Sequence, residues 1–354
     1  MTPEATHEAE TGPVREPHRF DVARLESYLV AHLPGFAGPI DIRQFRGGQS
    51  CPTYQLRTER AAYVLRRKPP GKLLPSAHAI DREYRVLSAL ANTGLPVPTA
   101  RLLCEDPDVV GTPFYIMDYV PGRIFWDLAL PGMTPPERAA TYDAMNEVIA
   151  RLHAVDQVAV GLSDFGRPSG YVARQIERWT KQYRASETET IEAMERLIEW
   201  LPENLPAEEE VALVHGDYRL DNMIFHPTEP RVVAVLDWEV STIGDPLADF
   251  AYHCMLWRLP PDAFKGLRGL NLEALGIPSE RDYVAAYCRR TGRPGVENFD
   301  FRVAYNMFRL AAILQGIMGR VRDGTAASEE AAARGALARP VAEAGWREVE
   351  AMGR

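Results

Sequence analysis

The chain contains 354 residues, of which 46% are hydrophobic and 25% are charged, so it can bury a sizeable core and is long enough for two lobes. The formal net charge of -9 argues against a nucleic-acid partner and against docking on an anionic membrane. Because the longest apolar runs fall well short of a membrane span, the composition indicates a soluble protein with small-molecule partners.

The N-terminal segment carries acidic residues and lacks an apolar stretch, so residues 1–18 are predicted to be a disordered tail rather than a signal peptide. The four cysteines, Cys51, Cys104, Cys254 and Cys288, lie far apart in the sequence. This spacing predicts neither a zinc site nor a disulfide framework. A cytoplasmic location is expected from both observations.

The first predicted structural unit is an antiparallel meander. Its three short strands are predicted at residues 40–46, 53–58 and 62–66. The turn after the first strand contains Gly47, Gly48 and Ser50, and its backbone amides could approach a phosphate because glycine removes the side-chain obstacle. A plain glycine hairpin is the alternative.

The third strand ends in three consecutive cations, Arg66, Arg67 and Lys68. Apolar residues at helical spacing predict a helix over residues 76–90, which makes Glu83 available to face these cations. A strand cation paired with a glutamate on the next helix fixes the nucleotide phosphates in kinases. Solvated charges at a strand end are the alternative.

Two further strands, predicted at residues 100–104 and 113–120, complete an N-lobe of residues 19–120. A Pro-Gly turn at residues 121–122 then separates it from a C-lobe of residues 121–354. If the N-lobe binds the nucleotide, the backbone from Asp118 to Val120 would contact the adenine edge. An ordinary link between strand and helix fits the same sequence.

Helical patterns dominate the C-lobe. Six helices are predicted, at residues 136–156, 171–183, 191–201, 279–292, 299–321 and 326–350. His153 lies near the apolar face of the first helix, and it is interpreted as a packing residue because no second metal ligand lies one turn away. Residues 202–210, which include two prolines and four glutamates, are predicted to form a loop.

The segment of residues 211–249 concentrates the candidate catalytic residues. Its two apolar runs, residues 223–225 and 232–236, are too short for buried helices and are predicted to be the strands of a hairpin. Polar residues stand at the strand ends, namely Asp217 and Asn222 before the first strand and Asp237 after the second.

The spacing of these polar residues points to phosphoryl transfer. Four residues separate Asp217 from Asn222, as they separate the Asp and the Asn of the kinase catalytic loop. In that chemistry one carboxylate holds the accepting hydroxyl, while an Asp and an Asn supply oxygen ligands for magnesium. An isolated His-Gly-Asp would be an ordinary loop, because these are common turn residues.

The motifs occur in a fixed order along the chain. They are Gly47-Gly48-Gln49-Ser50, Val64-Leu65-Arg66, Glu83, Pro121-Gly122, His215-Gly216-Asp217 with Asn222, Asp237-Trp238-Glu239 and Gly244-Asp245-Pro246. This set resembles the aminoglycoside phosphotransferase family, which has a protein-kinase-like fold, over residues 35–330. The stretches VLRRKPPG, HGDYRLDNMIF and LDWEVSTIGDPLADFAY are most similar to a branch akin to the kinase-like domain fused to some acyl-CoA dehydrogenases.

The resemblance implies an α+β, bilobal protein-kinase-like fold, with an antiparallel-sheet N-lobe that binds the nucleotide and a mainly helical C-lobe. It implies ATP and Mg²⁺ as cofactors, Asp217 as the catalytic base, and Asn222 and Asp237 as magnesium ligands. Asp245 and Asp249 would be structural, and Asp245 would cap the helix that follows it.

The cation that grips the phosphates departs from the family pattern. The expected strand lysine is replaced by Arg66, which keeps the charge and can bind phosphate through two donors. Lys68 lies two residues further, hence on the same strand face, and could substitute for it. The other implied nucleotide contacts are Gly47, Gly48, Ser50, Glu83, Asp118 and Val120.

The predicted function is an ATP-dependent small-molecule kinase that transfers the γ-phosphate to a substrate hydroxyl. The branch resemblance points to a hydroxyacyl-CoA or a related hydroxy acid as the acceptor, and an aminoglycoside is the alternative acceptor.

Two functions of other classes remain open at the level of the sequence. A metal-dependent hydrolase would use a cluster of five residues as ligands, namely His215, Asp217, His226, Asp237 and His253. A non-catalytic nucleotide-binding protein is the other, although intact Asp217, Asn222 and Asp237 argue against it.

Overall fold

The structure is a computed structural model that describes residues 11–46, 51–69, 79–207, 210–325 and 330–353. The chain divides into two compact units. The N-terminal unit comprises the described residues up to Phe125 together with Leu220–Val240, and the helical unit comprises Trp126–Arg219 together with the described residues from Ser241 onward. Within the described ranges, every helix is too short or too polar to traverse a bilayer.

The N-terminal unit is built on one antiparallel sheet of six strands. The strands are β1 Thr11–Gly12, β2 Asp41–Phe45, β3 Thr53–Arg57, β4 Ala62–Arg67, β5 Ala100–Cys104 and β6 Phe114–Asp118. They pair in the order β1-β2-β3-β4-β6-β5. The described residues of the same unit also form three α-helices, α1 Val22–His32, α2 Ile80–Leu90 and α3 Pro107–Val110.

The two faces of strand β4 serve different purposes. Helix α1, which begins where Asp21 accepts a hydrogen bond from the Arg24 amide, buries Leu25 and Leu29 in a hydrophobic cluster that includes Leu65. Since side chains alternate along a strand, the residue after Leu65 points away from this cluster, toward the face that carries α2. The pleat therefore determines which of the strand cations can meet Glu83.

The helical unit contains most of the helices and one short antiparallel strand pair. The helices are α4 Pro135–His153, α5 Tyr171–Ser186, α6 Glu192–Glu203, α7 Pro246–Cys254, α8 Leu272–Leu275, α9 Glu280–Thr291, α10 Phe299–Arg322, α11 Ala331–Gly335 and α12 Ala338–Ala351. The strands are β7 Ala212–Val214 and β10 Thr242–Gly244, which pair with each other. Two further strands, β8 Met223–Phe225 and β9 Val232–Val235, form an antiparallel hairpin that belongs to the N-terminal unit.

Helix α10 is the centre of the helical unit, and it packs against α5, α6, α7, α11 and α12. It is buried around most of its circumference, as expected of a helix enclosed by others. Its Arg302 is 2% exposed and pairs with Asp245 at 2.8 Å. Asp245 also caps α7, because its Oδ1 accepts the Leu247 amide at 2.8 Å. A buried ion pair thus joins α10 to the start of α7.

Most predicted elements are present, with three differences. Residues 11–18, assigned from sequence to a disordered tail, contain β1 and a 3₁₀ turn, because Thr11 and Gly12 pair with β2. Pro202, predicted to be in a loop, lies in the last turn of α6, where proline removes a single intrahelical hydrogen bond. The predicted helix over 326–350 is divided into α11 and α12 within the described residues.

Candidate active site

Arg66 on β4 is the centre of an ion-pair cluster in the N-terminal unit. Its Nε lies 2.8 Å from Glu83 Oε2 on α2, and its Nη2 lies 2.8 Å from Asp237 Oδ1 and 3.7 Å from Glu239 Oε2. Tyr115 on β6 donates a longer hydrogen bond, of 3.4 Å, to the same Glu83 oxygen. Among the residues that the structure describes, one guanidinium faces three carboxylates, and such an arrangement favours a further cation.

Burial shifts the pKa values of this cluster. Burial raises the pKa of Glu83 to about 7. The charge of Arg66 lowers this pKa, and the negative charge of Asp237 raises it. Burial lowers the pKa of Arg66, but Glu83 and Asp237 outweigh it and hold that pKa well above its usual value. The neighbouring Cys51 thiol, whose pKa burial raises to about 12, stays protonated and is a poor nucleophile.

The β8–β9 hairpin brings Asn222 and Asp237 to the same end. Met223 pairs with Val235, and the Leu236 amide donates a 2.8 Å hydrogen bond to the Asn222 carbonyl. Asp237 follows at once with a φ of 65°, a left-handed conformation that aspartate tolerates better than most residues. Amide and carboxylate oxygens are ligands that Mg²⁺ prefers, so one local pairing supplies two candidate ligands.

The three cations at the end of β4 have different environments. Arg66 lies inside the carboxylate cluster with 12% of its side chain exposed. Arg67 is buried on the opposite face, where its guanidinium donates to two backbone carbonyl groups. Its role is therefore structural. Lys68 lies past the strand, with 33% of its side chain exposed and Nζ at 3.9 Å from Asp81. The two candidate phosphate ligands therefore differ in burial and in partners.

The remaining predicted nucleotide contacts are placed as follows. Three of them lie outside the described residues, namely Gly47, Gly48 and Ser50. The Asp118 carboxylate is held by Arg101, with hydrogen bonds of 2.8 and 2.6 Å, and its amide donates to Thr99. In the described part of the chain the backbone of Val120 makes no hydrogen bond, so its polar groups are available to a ligand.

In the helical unit, Asp249 of α7 anchors the backbone of the loop that carries Asp217. Its two oxygens accept the His215 and Gly216 amides, each at 2.8 Å, and Oδ2 lies 3.2 Å from His153 Nε2. Arg309 of α10 donates to the Gly216 carbonyl at 2.6 Å. Gly216 has a φ of 82°, which glycine adopts without steric cost. The loop is therefore fixed at both the amide and the carbonyl group of one residue, Gly216.

The carboxylate of Asp217 is held by side chains of the same unit. The Tyr252 hydroxyl donates to Oδ1 at 2.6 Å, and Arg219 Nε lies 3.1 Å from the same oxygen. Burial raises the pKa of Asp217, but the charge of Arg219 and the hydrogen bond from Tyr252 outweigh it, so that the pKa lies below its usual value. Asp217 is therefore ionised at neutral pH, as a proton acceptor must be.

Two histidines of the hydrolase alternative, His215 and His253, are buried, and the third, His226, lies in a partly exposed turn. His253 Nε2 lies 2.9 Å from the Tyr283 hydroxyl, and burial lowers the pKa of His253 to about 4. The His226 ring accepts the amide of Glu229 at 3.2 Å. Within the described ranges no group of three or more His, Cys, Asp or Glu side chains is placed to hold a metal ion.

Two contacts of the Asp217 loop were missed by sequence reasoning. Tyr252 lies three residues after Asp249, so helical spacing places both side chains on one face of α7 and could have indicated Tyr252. Arg309 is separated from Gly216 by 93 residues, and no local pattern relates the two. Glu239 belongs to the Asp237-Trp238-Glu239 motif, and the sequence assigns it no role, yet its carboxylate lies 3.7 Å from Arg66 Nη2.

Comparison with known proteins identifies the family. The model of the phosphotransferase enzyme family, APH, matches residues 41–297. Acyl-CoA dehydrogenase family member 10 of Mus musculus is 50% identical over 339 residues, which is 95% of this chain and 32% of that protein. Acyl-CoA dehydrogenase family member 11 of Homo sapiens is 44% identical over 351 residues, which is 98% of this chain and 45% of that protein. The chain thus spans less than half the length of these relatives.

Solved structures agree with this result. A Ralstonia eutropha JMP134 protein, provisionally named an aminoglycoside phosphotransferase, is 54% identical with a TM-score of 0.87, over 94% of this chain and 99% of that one. A thermostable mutant of aminoglycoside phosphotransferase APH(4)-Ia, in a ternary complex with AMP-PNP and hygromycin B, is 19% identical with a TM-score of 0.59, over 92% of this chain and 98% of that one. The second likeness concerns the fold alone.

These findings confirm the predicted family resemblance, the α+β protein-kinase-like fold with an antiparallel-sheet N-terminal part and a helical C-terminal part, and the enzyme class, a phosphotransferase with an alcohol group as acceptor. The match extends over most of the chain and includes every motif from β2 to Asp249. The chain therefore belongs to the phosphotransferase enzyme family.

Proposed function

We propose that the chain is a small-molecule kinase that transfers the γ-phosphate of ATP to a substrate hydroxyl in the presence of Mg²⁺. The observation that carries this proposal is the cluster in which Arg66 pairs with Glu83 at 2.8 Å and with Asp237 at 2.8 Å. In kinases a strand cation paired with a helix glutamate grips the nucleotide phosphates, and a nearby aspartate holds the metal.

The N-terminal unit would hold the nucleotide. Arg66 would contact the phosphates, with Lys68 as the alternative cation, and Val120 would bond the adenine edge through its free backbone groups. The other contacts of the proposed nucleotide site are Gly47, Gly48, Ser50, Glu83 and Asp118. Residues 19–120 remain the proposed nucleotide-binding lobe.

The same unit fits magnesium, because among its described residues three carboxylates lie within 3.7 Å of the Arg66 guanidinium. Asn222 and Asp237 would hold the ion through an amide and a carboxylate oxygen, the hard donors that Mg²⁺ requires. When bound, the ion neutralises charge on the phosphate oxygens. The Mg²⁺ ion and the Arg66 guanidinium would compete for the Asp237 carboxylate. Arg66 would therefore give up part of its contact with Asp237 and contact the phosphates.

Asp217 would act as the base within the proposed catalytic segment of residues 211–249. Its ionised carboxylate accepts the proton of the acceptor hydroxyl while the bond from that oxygen to phosphorus forms and the bond to the ADP leaving group breaks. General-base catalysis of this kind contributes about 10²- to 10⁴-fold to the rate. The backbone anchors at His215 and Gly216 would keep the carboxylate in place during the transfer.

The acceptor is proposed to be a hydroxyacyl compound, either a hydroxyacyl-CoA or a related hydroxy acid. Similarity to acyl-CoA dehydrogenase family members 10 and 11 over at least 95% of this chain supports an acyl substrate. An aminoglycoside is the second candidate, supported by the provisional name of the Ralstonia protein. The proposed location is the cytoplasm.

ADP release distinguishes these acceptors. The wild-type protein with ATP and Mg²⁺ should release ADP on addition of hydroxyacyl-CoAs or hydroxy acids and not on addition of aminoglycosides such as hygromycin B. The reverse selectivity would establish the second candidate, and turnover in the absence of ATP would refute the kinase. Asp237→Ala should remove the magnesium-dependent part of the rise in melting temperature caused by ATP. A rise that persists equally in EDTA would refute the magnesium site.

A further inference from the structure

Helix α7 contacts the Asp217 loop through two side chains on one of its faces. Asp249 accepts the amides of His215 and Gly216, and Tyr252, three residues further along, donates to the carboxylate of Asp217 at 2.6 Å. Residues three apart in a helix are neighbours on its surface. One helix therefore fixes both the backbone of the loop and the orientation of its catalytic side chain.

The environment of Tyr252 makes its hydroxyl a donor rather than an acceptor. The side chain is 3% exposed, and burial together with the negative charge of Asp217 raises the pKa of Tyr252 far above its usual value. The Arg309 guanidinium lies 4.9 Å from the centre of the Tyr252 ring, within the range of a cation–π contact. The phenol therefore stays protonated, and its ring is held in place by Arg309.

Rigid contacts support α7 itself. Asp245 caps its first turn and pairs with the buried Arg302, and His253 bonds Tyr283 near its end. Arg309 bonds the Gly216 carbonyl at 2.6 Å while it lies over Tyr252. A helix held at both ends can position a side chain more accurately than a mobile loop can.

We propose that Tyr252 is a positioning residue of the phosphoryl transfer, which fixes the rotation of the Asp217 carboxylate through the hydrogen bond to Oδ1. This role rests on the proposed function. Among the described residues, the Arg219 and Arg309 guanidinium groups, the His215 ring and the Tyr252 hydroxyl lower the pKa of Asp217. The first two supply charge, whereas Tyr252 supplies a short and directional bond. Its loss would leave Oδ1 with the longer contact to Arg219 Nε at 3.1 Å, would fix the carboxylate less firmly and would raise the pKa of Asp217.

The variant Tyr252→Phe tests this role, because it keeps the ring and removes the hydroxyl. Loss of one hydrogen bond to a charged group should lower kcat by about 10- to 100-fold, with the KM for ATP nearly unchanged. The acid limb of the kcat profile should move to higher pH. The matched control is Tyr142→Phe, which removes a buried hydroxyl that bonds the Leu128 carbonyl at 2.7 Å and should change neither kcat nor the profile.

A titration that needs no turnover separates this proposal from the proposed function. Carbon-13 NMR of aspartate carboxyl groups, with Asp217→Asn to assign the resonance, should show a higher pKa for Asp217 in Tyr252→Phe than in the wild type. That shift supports the positioning role even if no acceptor is phosphorylated, in which case the kinase proposal alone fails. An unchanged pKa together with a wild-type kcat profile would overturn the positioning role.

Discussion

The anchoring of the Asp217 loop by Asp249 leads to a quantitative prediction for Asp249→Asn. The carboxylate accepts two buried backbone amides at 2.8 Å each, and it is 4% exposed. An asparagine offers one oxygen, so one amide would face an NH₂ group. A hydrogen bond to a charged group contributes about 1.5–3 kcal/mol, and the retained bond would weaken to about 1 kcal/mol. We therefore expect the free energy of unfolding to fall by about 2–5 kcal/mol.

Urea unfolding followed by circular dichroism measures this loss, and steady-state kinetics should show a lower kcat because the Asp217 loop is less well anchored. The matched control is Asp143→Asn, in which an exposed carboxylate loses its partner Arg290. An exposed ion pair contributes about 0–1 kcal/mol, so this variant should resemble the wild type. If Asp249→Asn unfolds at the same urea concentration as Asp143→Asn, Asp249 does not anchor the loop.

Three further changes test the site and its surroundings. Asp217→Asn should lower kcat by about 10²- to 10⁴-fold in the coupled ADP assay, because an amide cannot accept the hydroxyl proton. Arg66→Ala should weaken ATP binding, measured by calorimetry, more than Lys68→Ala, because Arg66 lies within the carboxylate cluster. Acidification from pH 7 to pH 5 should lower the free energy of unfolding by about 2 kcal/mol through His253, and His253→Gln should reduce that loss in urea titrations.

The sign of the acid effect follows from the direction of the shift. Burial lowers the pKa of His253 from 6.5 to about 4, so between these values the unfolded chain binds a proton that the folded chain excludes. The contribution of the neutral His253 to the free energy of unfolding is fully present above the pKa of His253 in the unfolded chain. It decreases as the pH falls toward 4. An identical pH dependence in His253→Gln would contradict this assignment.

For Asp217→Asn, Tyr218→Phe is the control, and retention of more than about a tenth of the wild-type turnover would remove the base role. A greater effect of Lys68→Ala would transfer the phosphate contact to Lys68.

The sequence by itself determined the secondary structure and the family. Strands β2 to β6 and the long helices lie close to their predicted ranges, because hydrophobic periodicity and turn residues are local properties that packing preserves. The β8–β9 hairpin is local as well. Its pairing follows from adjacent strands, so the placement of Asn222 and Asp237 at one end could be predicted from their positions relative to the two apolar runs.

The tertiary structure alone decided which charged side chains meet. Arg66 and Asp237 are 171 residues apart, and Arg309 and Gly216 are 93 apart, so neither contact has a local signal. The three adjacent cations of β4 look equivalent in the sequence, yet the strand pleat directs Arg67 to one face and Arg66 to the other. Local periodicity specifies the face of an element, but the partner on that face depends on the packing of distant segments, which no pattern within one element encodes.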